Sequence, residues 1–449
     1  MTAPVSAGSD RSAALEESGF GRRFRLVQTH NMAFWVYVLL VVIGLLAMFQ
    51  QLQSSLAAFQ GSLTFSVVLF AAYAVPFWLF LRHIDRFDSV PEKLAGAAFL
   101  YGGVVSTFAM ATYANNAVIS LWGKVNGQQF AADWAAAFTA PVTEELAKAS
   151  GLVLLVLLAP RLIRTAFDGL IVGAFLGLGF QVFEDIIYGV NSAFGNFGVD
   201  AVASTYTTSV MRVVVGLTSH WTYSAIFCAG LIYLIGRPDE PRRVGRGLLL
   251  MLAAMALHGL WDATGGLAGI NPILFPLVYI LVPVSLIALF VWIYKTSVVT
   301  ERRWMRELME PEVALGVLTQ ADVDALAGSR KERRTYVRAH RGHKSHVNAK
   351  NVLDAAGDLA TQIARDGGVE TPGAVRPGRS APGPQRLTPN RSAHGIGRTL
   401  TTEPTPPFRT GLPHAHQAFP TCRHRRDPRL CGRRLRCVDR HWYPLRRHR

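Results

Sequence analysis

Hydrophobic runs long enough to cross a lipid bilayer recur along the first 295 residues of the chain. A helix needs about 20 mostly apolar residues to cross the hydrocarbon core, and these runs are too long to be the strands of a barrel. The pattern therefore predicts an all-α, polytopic membrane protein with about eight transmembrane helices. We place the spans near residues 32–50, 63–82, 94–117, 136–158, 167–190, 208–235, 247–266 and 272–295.

The segments on either side of these spans are polar, and they divide the chain into four parts. Residues 1–31 lack the layout of a cleavable signal peptide, so we interpret them as a cytoplasmic N-terminal segment. Residues 32–295 form the predicted eight-helix membrane domain. Residues 296–366 mix apolar and charged positions, which predicts short amphipathic helices in the cytoplasm. Residues 367–449 are rich in Pro, Arg, Gly and His and are predicted to be a mostly disordered tail.

The amino-acid composition supports a membrane protein. Half of the residues are hydrophobic and only 17% are charged, whereas soluble domains carry about 25% charged residues. This deficit of charged residues argues against an ordinary soluble enzyme. The formal net charge is +16, but it is concentrated locally, because residues 401–449 contain 12 Arg, no Lys and three acids. We interpret this basic tail as mainly solvated, with contact to anionic lipid as the alternative, and we expect no specific nucleic acid partner.

The Lys and Arg residues outside the tail lie in alternate loops. Loops that follow spans two, four, six and eight are basic, while residues 51–62 and 267–271 have no Lys or Arg and residues 118–135 have only Lys124. Because basic loops remain on the cytoplasmic side, this pattern predicts a multi-pass protein of the cell membrane with both termini in the cytoplasm.

Ionisable residues inside the spans are concentrated in spans four to seven. A charge at the centre of a bilayer costs about 2.5–3.5 kcal/mol on insertion scales, so such residues usually serve a function. We expect Asp185, which is nearer the end of its span, to be solvated. The full set is Glu144, Glu145 and Lys148 in span four, Glu184 and Asp185 in span five, Arg212 and His220 in span six, and His258 and Asp262 in span seven.

These four spans alternate in direction, and with a rise of about 1.5 Å per residue their acids and histidines fall in one layer of the outer half of the membrane. We therefore predict a water-filled cavity between the spans. Carboxylate and imidazole groups in such a cavity can activate water, and two His and one Glu could also hold zinc. The sequence has no HExxH, GxSxG or GxGD motif, which disfavours zincin-type, serine and aspartyl proteases.

Three motifs occur in order on successive spans. They are EExxK (Glu144, Glu145, Lys148), FxxxE (Phe180, Glu184) and HxxxD (His258, Asp262). Together they resemble the PrsW family of intramembrane proteases, which is related to the CAAX prenyl proteases and other CPBP-type membrane proteases. The resemblance covers roughly residues 35–295, and the tail after residue 366 has no counterpart in it.

The resemblance implies an intramembrane endopeptidase that cleaves a single-span membrane protein, such as an anti-sigma factor, in regulated proteolysis. Glu144 and Glu145 would be the catalytic pair, and either could be the base. The cofactor stays open between a divalent metal, such as zinc, and a metal-free glutamate mechanism. The remaining roles are as follows: Glu184, His220 and His258 would be catalytic partners or metal ligands, and Lys148, Phe180 and Asp262 would support them, with Asp262 orienting His258.

Two other classes of function stay open. Acids and histidines in membranes also relay protons or cations in transporters. A transporter should show an internal repeat with broken helices in both halves, and none is visible here. A non-catalytic membrane partner or immunity-type protein on the same scaffold is the other alternative, and the intact set of Glu and His residues argues against it.

Overall fold

The computed structural model describes residues 6–366 except Asp88 and Arg341. The predicted disordered tail over 367–449 lies outside these residues. Every regular element in the described part of the chain is helical, apart from one isolated bridge between Arg237 and Glu240, which confirms the all-α fold. In chain order the helices are α1 (Ser6–Ser18), α2 (Met32–Ala58), α3 (Gln60–Ile84), α4 (Glu92–Leu100), α5 (Thr112–Asn126), α6 (Gln128–Phe130), α7 (Ala136–Leu158), α8 (Ala166–Ser192), α9 (Ala201–Val215), α10 (His220–Ile235), α11 (Val244–Asp262), α12 (Thr264–Ile270), α13 (Leu274–Ala314), α14 (Gln320–Ala327), α15 (Arg330–Ala339) and α16 (His343–Arg365).

Six helices of the described residues are long and apolar enough to cross a membrane, so the chain is a multi-pass membrane protein. One of them is continuous over Glu92–Asn126, because a π-helical segment, Tyr101–Ala111, joins α4 to α5. The predicted count of eight is not confirmed. The other two predicted spans correspond to α7, which carries three charged side chains, and to the α9–α10 region, where the helix is broken.

The continuous helix predicted over 208–235 is wrong, because the chain leaves the α-helical conformation over Gly216–Ser219. A helix break inside a membrane is tolerated where other groups bind the freed backbone. Here Gln181 Nε2 donates to the carbonyl oxygen of Gly216 at 2.8 Å. The break makes His220 the first residue of α10.

The last long helix, α13, continues well beyond the predicted end of span eight at residue 295 and ends only at Ala314. Three shorter helices, α14 to α16, then follow. Two of these begin with a reciprocal capping box, in which Thr319 pairs with Asp322 and Ser329 with Glu332. Such caps satisfy the first free N–H groups of a helix, so the local sequence determines where these two helices begin.

The centre of the fold is α8, whose residues are buried over most of its length. Glycines let α10 approach its backbone closely. A Cβ atom added at Gly173 would lie 2.5 Å from the carbonyl oxygen of Ser224, and one added at Gly177 would lie 2.2 Å from that of His220. The α8–α10 contact therefore fixes both residues of α10 relative to α8.

Candidate active site

Helix α7 contributes two carboxylates and a lysine to the centre of the bundle. Lys148 Nζ lies 2.7 Å from Glu145 Oε1 and 3.7 Å from Glu144 Oε2, at the i,i+3 and i,i+4 spacings that place side chains on one helix face. All three side chains are buried. The ammonium also lies over the ring of Phe180, 4.1 Å from its centroid. Lys148 therefore joins the first motif to the second.

The two glutamates have different surroundings. Glu145 is held on both sides, because Lys148 contacts one carboxylate oxygen and Ser224 Oγ donates to the other at 3.0 Å. Glu144 receives a hydrogen bond from Asn115 Nδ2 at 3.0 Å on Oε1 only. Its Oε2 atom is buried and has no hydrogen-bond partner among the described residues. Glu145 Oε1 also forms no hydrogen bond among the described residues, but Lys148 Nζ lies 2.7 Å from it. No nitrogen of Lys148, His220 or His258 lies closer than 3.6 Å to Glu144 Oε2, so Glu144 has the less engaged acceptor oxygen.

His220 connects α7 to α8. Its Nε2 atom lies 2.8 Å from Glu184 Oε2, and its Nδ1 atom lies 3.2 Å from Lys148 Nζ and 3.6 Å from Glu144 Oε2. A proton on Nε2, donated to the Glu184 carboxylate, leaves a lone pair on Nδ1 directed towards Glu144 and Lys148. The Glu184 carboxylate therefore orients the ring of His220.

Glu184 and its neighbour Asp185 share a cation from α9. Arg212 Nη2 lies 2.6 Å from Glu184 Oε2, and Arg212 Nε lies 2.5 Å from Asp185 Oδ1. The expectation that Asp185 is solvated is wrong, because its side chain is fully buried. Burial of a carboxylate requires a charged partner, and Arg212 supplies one for both acids.

His258, on α11, faces the glutamates of α7. Its Nδ1 atom lies 3.6 Å from Glu145 Oε1, and its Nε2 atom lies 3.8 Å from Glu144 Oε2. The ring stacks on Tyr223 with an interplanar angle of 9° and centroids 4.6 Å apart. The stacking on Tyr223 positions the imidazole, and Glu145 and Glu144 lie near its two nitrogens.

The expected hydrogen bond between Asp262 and His258 is not formed. Asp262 Oδ2 lies 3.6 Å from His258 Nε2, beyond hydrogen-bond distance, and has no partner among the described residues. It approaches the same nitrogen that faces Glu144 rather than the opposite side of the ring. Asp262 is therefore a neighbour of His258 Nε2, the nitrogen that faces Glu144. The i,i+4 spacing in the sequence did not reveal which nitrogen it would approach.

Glu144, His220 and His258 form a cluster that could hold a metal ion. Each offers one ligand atom, and all three atoms lie within 4.8 Å of one another. In a tetrahedral zinc site with bonds of about 2.0–2.1 Å, neighbouring ligand atoms are about 3.3 Å apart, and the distances from Glu144 Oε2 to the two histidines are 3.6 and 3.8 Å. The predicted ligand set contained Glu184 instead, but that carboxylate binds the opposite nitrogen of His220.

The charges of the site are not balanced by its own residues. When all acids are ionised, five carboxylates face two cations, Lys148 and Arg212. The five carboxylates are those of Glu144, Glu145, Glu184, Asp185 and Asp262. Because an isolated buried charge is costly, an excess of negative charge favours bound protons or a bound cation.

A cavity of about 550 Å³ adjoins these groups. Its volume is in the range of roughly 300–1,000 Å³ that is usual for ligand sites. Glu145 and Lys148 lie behind its wall. The residues that line it include Asn115, Asn116, Glu144, Phe180, Glu184, Arg212, His220, Tyr223, His258 and Asp262. The structure thus brings all eight predicted site residues together, with six of them at the cavity surface.

Several residues of the site escaped the sequence reasoning. Asn115 binds Glu144, Ser224 binds Glu145 and Tyr223 stacks on His258. The sequence shows Arg212 as a cation inside a span but assigns it no role. Asn115 and Asn116 form an uncharged polar pair inside the third predicted span, which was the available signal. The sequence gave no signal for Ser224 and Tyr223, because serine and tyrosine are also common where helices simply pack against one another.

Residues 90–292 match the PrsW family of intramembrane metalloproteases. This match confirms the resemblance that the three motifs indicated, and it includes every residue of the cluster described above. It supports a protease of the hydrolase class that is embedded in a membrane by several helices. Comparisons of the chain with curated proteins and with solved structures gave no match.

Proposed function

We propose that this chain hydrolyses peptide bonds of membrane-protein substrates in the cavity beside Glu144. The observation that carries the proposal is the environment of that carboxylate, which lines the cavity and whose Oε2 atom has no hydrogen-bond partner among the described residues. Such an oxygen can accept a proton from water as the water attacks a carbonyl carbon. Asn115 holds the other carboxylate oxygen and fixes the direction of the free one.

The histidines have complementary roles in this proposal. His220 keeps its ring orientation through Glu184 and directs Nδ1 towards Glu144. His258 Nε2 lies between Glu144 Oε2 and Asp262 Oδ2, where a protonated ring could donate a proton to the leaving amine. Lys148 and Arg212 hold the remaining carboxylates in place and offset part of their charge.

As the alternative to this metal-free route, we propose that Glu144, His220 and His258 hold a divalent metal ion, since their donor atoms and the excess negative charge fit one. Glu144 and His258 would then be ligands and would not transfer protons as described above. Zinc bound by two His and one carboxylate would lower the pKa of a coordinated water to about 7. With these three residues as ligands, Asp262 is the cavity carboxylate with a free oxygen that could accept a proton.

We propose a single-span membrane protein, of the anti-sigma-factor type, as the substrate. The basic loops support an orientation with both termini in the cytoplasm, which would put the catalytic cluster in the outer half of the membrane. Labelling a cysteine introduced at exposed Lys331 with a membrane-impermeant reagent, in intact and in opened cells, tests this orientation independently of activity.

The activity is tested by placing the purified full chain in liposomes with labelled single-span membrane proteins and following cleavage on gels. We expect cleavage by the wild type and by Glu310→Gln, a matched control on an exposed residue, but not by Glu144→Gln. Metal content is measured directly on the same preparations by elemental mass spectrometry. Cleavage that survives Glu144→Gln contradicts the proposed mechanism, and full cleavage by protein without bound metal contradicts the metal proposal alone.

A further inference from the structure

A second groove lies outside the candidate active site, between α3, α10 and α13. Its volume is about 870 Å³, within the range of known ligand sites. Aromatic rings form its wall, with the Trp221 centroid 5.3 Å from that of Phe290 and 5.9 Å from that of Phe77. Phe80 and Ile287, which are 41% and 50% exposed, leave the groove open to the outside of the bundle.

One end of this groove is strongly basic. Among the described residues, none of its cations has a carboxylate oxygen within 4.0 Å, whereas the nearby Arg82, Arg303, Arg306 and Arg333 each have one. Ion pairs are thus formed around the groove but not in it. The cations that line it are Arg86, Lys295, Arg302, Arg330 and Lys331.

The hydrogen bonds of these cations within residues 6–366, apart from Asp88 and Arg341, are with neutral carbonyl groups. Arg86 donates to the carbonyl oxygens of Leu326 and Gly328, and Arg330 donates to that of His83 at 3.3 Å. Burial and the neighbouring arginines lower the pKa of Arg86 to about 10. The carboxylate of nearby Glu332 is engaged in the cap of α15. The basic end therefore offers several N–H donors for which the described part of the chain supplies no anion.

We propose that this groove binds an anionic phospholipid, with the phosphate among the cations and an acyl chain along the aromatic wall. The two halves of the groove match the two halves of such a molecule, because a phosphate group needs cationic donors and an acyl chain needs an apolar surface. A free phosphate would leave the aromatic part exposed. A transmembrane helix, about 10–12 Å across, is another possible occupant of the groove. It would gain little from the basic end unless it carried acidic side chains at that position.

The groove also lies behind the helix break that presents His220. Trp221 follows that histidine, and its Nε1 atom donates to the carbonyl oxygen of Leu217 at 3.0 Å, across the break. Leu217, Thr218 and Trp221 all line the groove. An acyl chain in the groove would therefore pack against the turn that positions His220, and we expect binding to raise the thermal stability of the protein.

The proposal is tested with the full chain in detergent after removal of native lipid. The probes are phosphatidylglycerol, phosphatidylcholine with the same acyl chains, and glycerol phosphate, and binding is measured by native mass spectrometry and by thermal unfolding. We expect phosphatidylglycerol to bind with a stoichiometry of about one in the groove and more tightly than either other probe. Equal binding of the two lipids, or binding of glycerol phosphate as tight as that of phosphatidylglycerol, overturns the proposal.

Two variants distinguish a specific lipid-binding site from non-specific attraction of anionic lipid to a basic surface. The first removes three cations that make no described hydrogen bond or ion pair, and we expect it to weaken phosphatidylglycerol binding by about tenfold or more. The second, Ile287→Trp, fills the groove without changing its charge and should weaken binding as well. The first variant combines Lys295→Gln, Arg302→Gln and Lys331→Gln, and its matched control combines Lys93→Gln, Arg161→Gln and Lys344→Gln, all exposed and outside the groove.

A loss of affinity in the control triple variant as large as in the groove triple variant overturns the proposal. Unchanged binding in Ile287→Trp overturns it too, because it would mean that lipid is attracted by surface charge alone. Circular dichroism of each variant checks that the helical content is retained. These outcomes do not depend on proteolytic activity, so the lipid site and the proposed function can fail separately.

Discussion

Glu184 Oε2 lies 2.8 Å from His220 Nε2 and 2.6 Å from Arg212 Nη2, so one carboxylate oxygen joins α8 to α9 and α10. The arrangement orients His220 from behind and leaves its Nδ1 atom facing Glu144. Carboxylates that bind the outer nitrogen of a histidine are typical of metal sites, where they fix the ring and its tautomer. The geometry therefore favours Glu184 as a residue that positions His220, outside the cluster of Glu144, His220 and His258.

The two glutamates of α7 should respond differently to loss of charge. Glu144→Gln should lower the rate of peptide cleavage by about 10²–10⁴-fold, since it removes the free acceptor oxygen at the cavity. It should leave the helical fold intact. Glu145→Gln leaves buried Lys148 without its closest partner, so it should lower the unfolding temperature as well as activity. Cleavage rates and thermal unfolding in detergent, measured on the same preparations, separate these effects, and equal losses of stability in both variants would contradict the assignment.

Asn115 should matter for activity because it fixes Glu144. Asn115→Leu removes a hydrogen bond to a charged group, which is worth about 1.5–3 kcal/mol, and we expect the turnover number to fall by about tenfold or more. Asn116→Leu is the matched control, since Asn116 also lines the cavity but binds neither glutamate in the structure. Steady-state cleavage kinetics test this prediction. A similar loss of activity in both variants would assign the effect to cavity polarity instead.

Arg212 should be essential for stability. Arg212→Met leaves Glu184 and Asp185 without their cation, and removing one partner of a buried pair costs about 3–5 kcal/mol. Arg303→Met removes only an exposed pair with Glu307 and should cost less than about 1 kcal/mol. Unfolding by denaturant in micelles measures both. Asp185→Asn should recover part of the loss when it is combined with Arg212→Met, and a double variant no more stable than the single one would contradict this account.

Close approach of α8 and α10 should require glycine at residue 177. Gly177→Ala would place a Cβ atom 2.2 Å from the backbone oxygen of His220, so we expect a loss of about 1–3 kcal/mol or more and weaker metal binding. Gly96→Ala is the control, because a Cβ atom there meets nothing within 4 Å. That change should be neutral or slightly stabilising in a helix. Thermal unfolding and metal titration of both variants decide the matter.

Asp85, in the turn between α3 and α4, should make stability depend on pH. Burial is the main cause that raises the pKa of this carboxyl from 3.8 to about 8, although Arg82 and the N–H of Val90 oppose the shift. Because the pKa of Asp85 is higher in the folded than in the unfolded state, the folded state binds this proton more tightly. The contribution of Asp85 to stability is therefore fully present below about pH 4 and is lost as the pH rises through 8. Asp85→Asn should flatten the decline of the unfolding temperature between these values. An unchanged pH profile in that variant would contradict the prediction.

Much of the fold could be predicted from local pattern. Apolar length located α2, α3, α8, α11 and the first part of α13, because a bilayer requires long uncharged helices whatever their neighbours are. The break before His220 could not be predicted in this way. It depends on Gln181, a residue of another helix that binds the freed carbonyl of Gly216, and no window of the α9–α10 sequence contains that information.

For the candidate site too, the sequence predicted some features and not others. The identity of its ionisable residues followed from the sequence, because charges inside apolar spans are costly and therefore conspicuous. Which carboxylate faces the cavity did not, since Glu144 and Glu145 are adjacent and differ only in the partners that other helices bring to them. The helix spacing also suggested that Asp262 orients His258, whereas the closest ring contact of His258 is its stacking on Tyr223, and Asp262 and Glu145 both lie 3.6 Å from its nitrogens.

The sequence by itself determined that this is an all-α membrane protein with a PrsW-like set of acids and histidines, because hydrophobic length and intramembrane charge are properties of single segments. The tertiary structure decided which atoms meet. It placed Glu144 near both histidines and Glu184 on the outer nitrogen of His220 alone, and it buried Asp185 on Arg212. It also gave an apolar groove a basic end whose cations have no carboxylate partner among the described residues. Contacts between helices far apart in sequence, some of them set by glycines that let backbones touch, decide those outcomes.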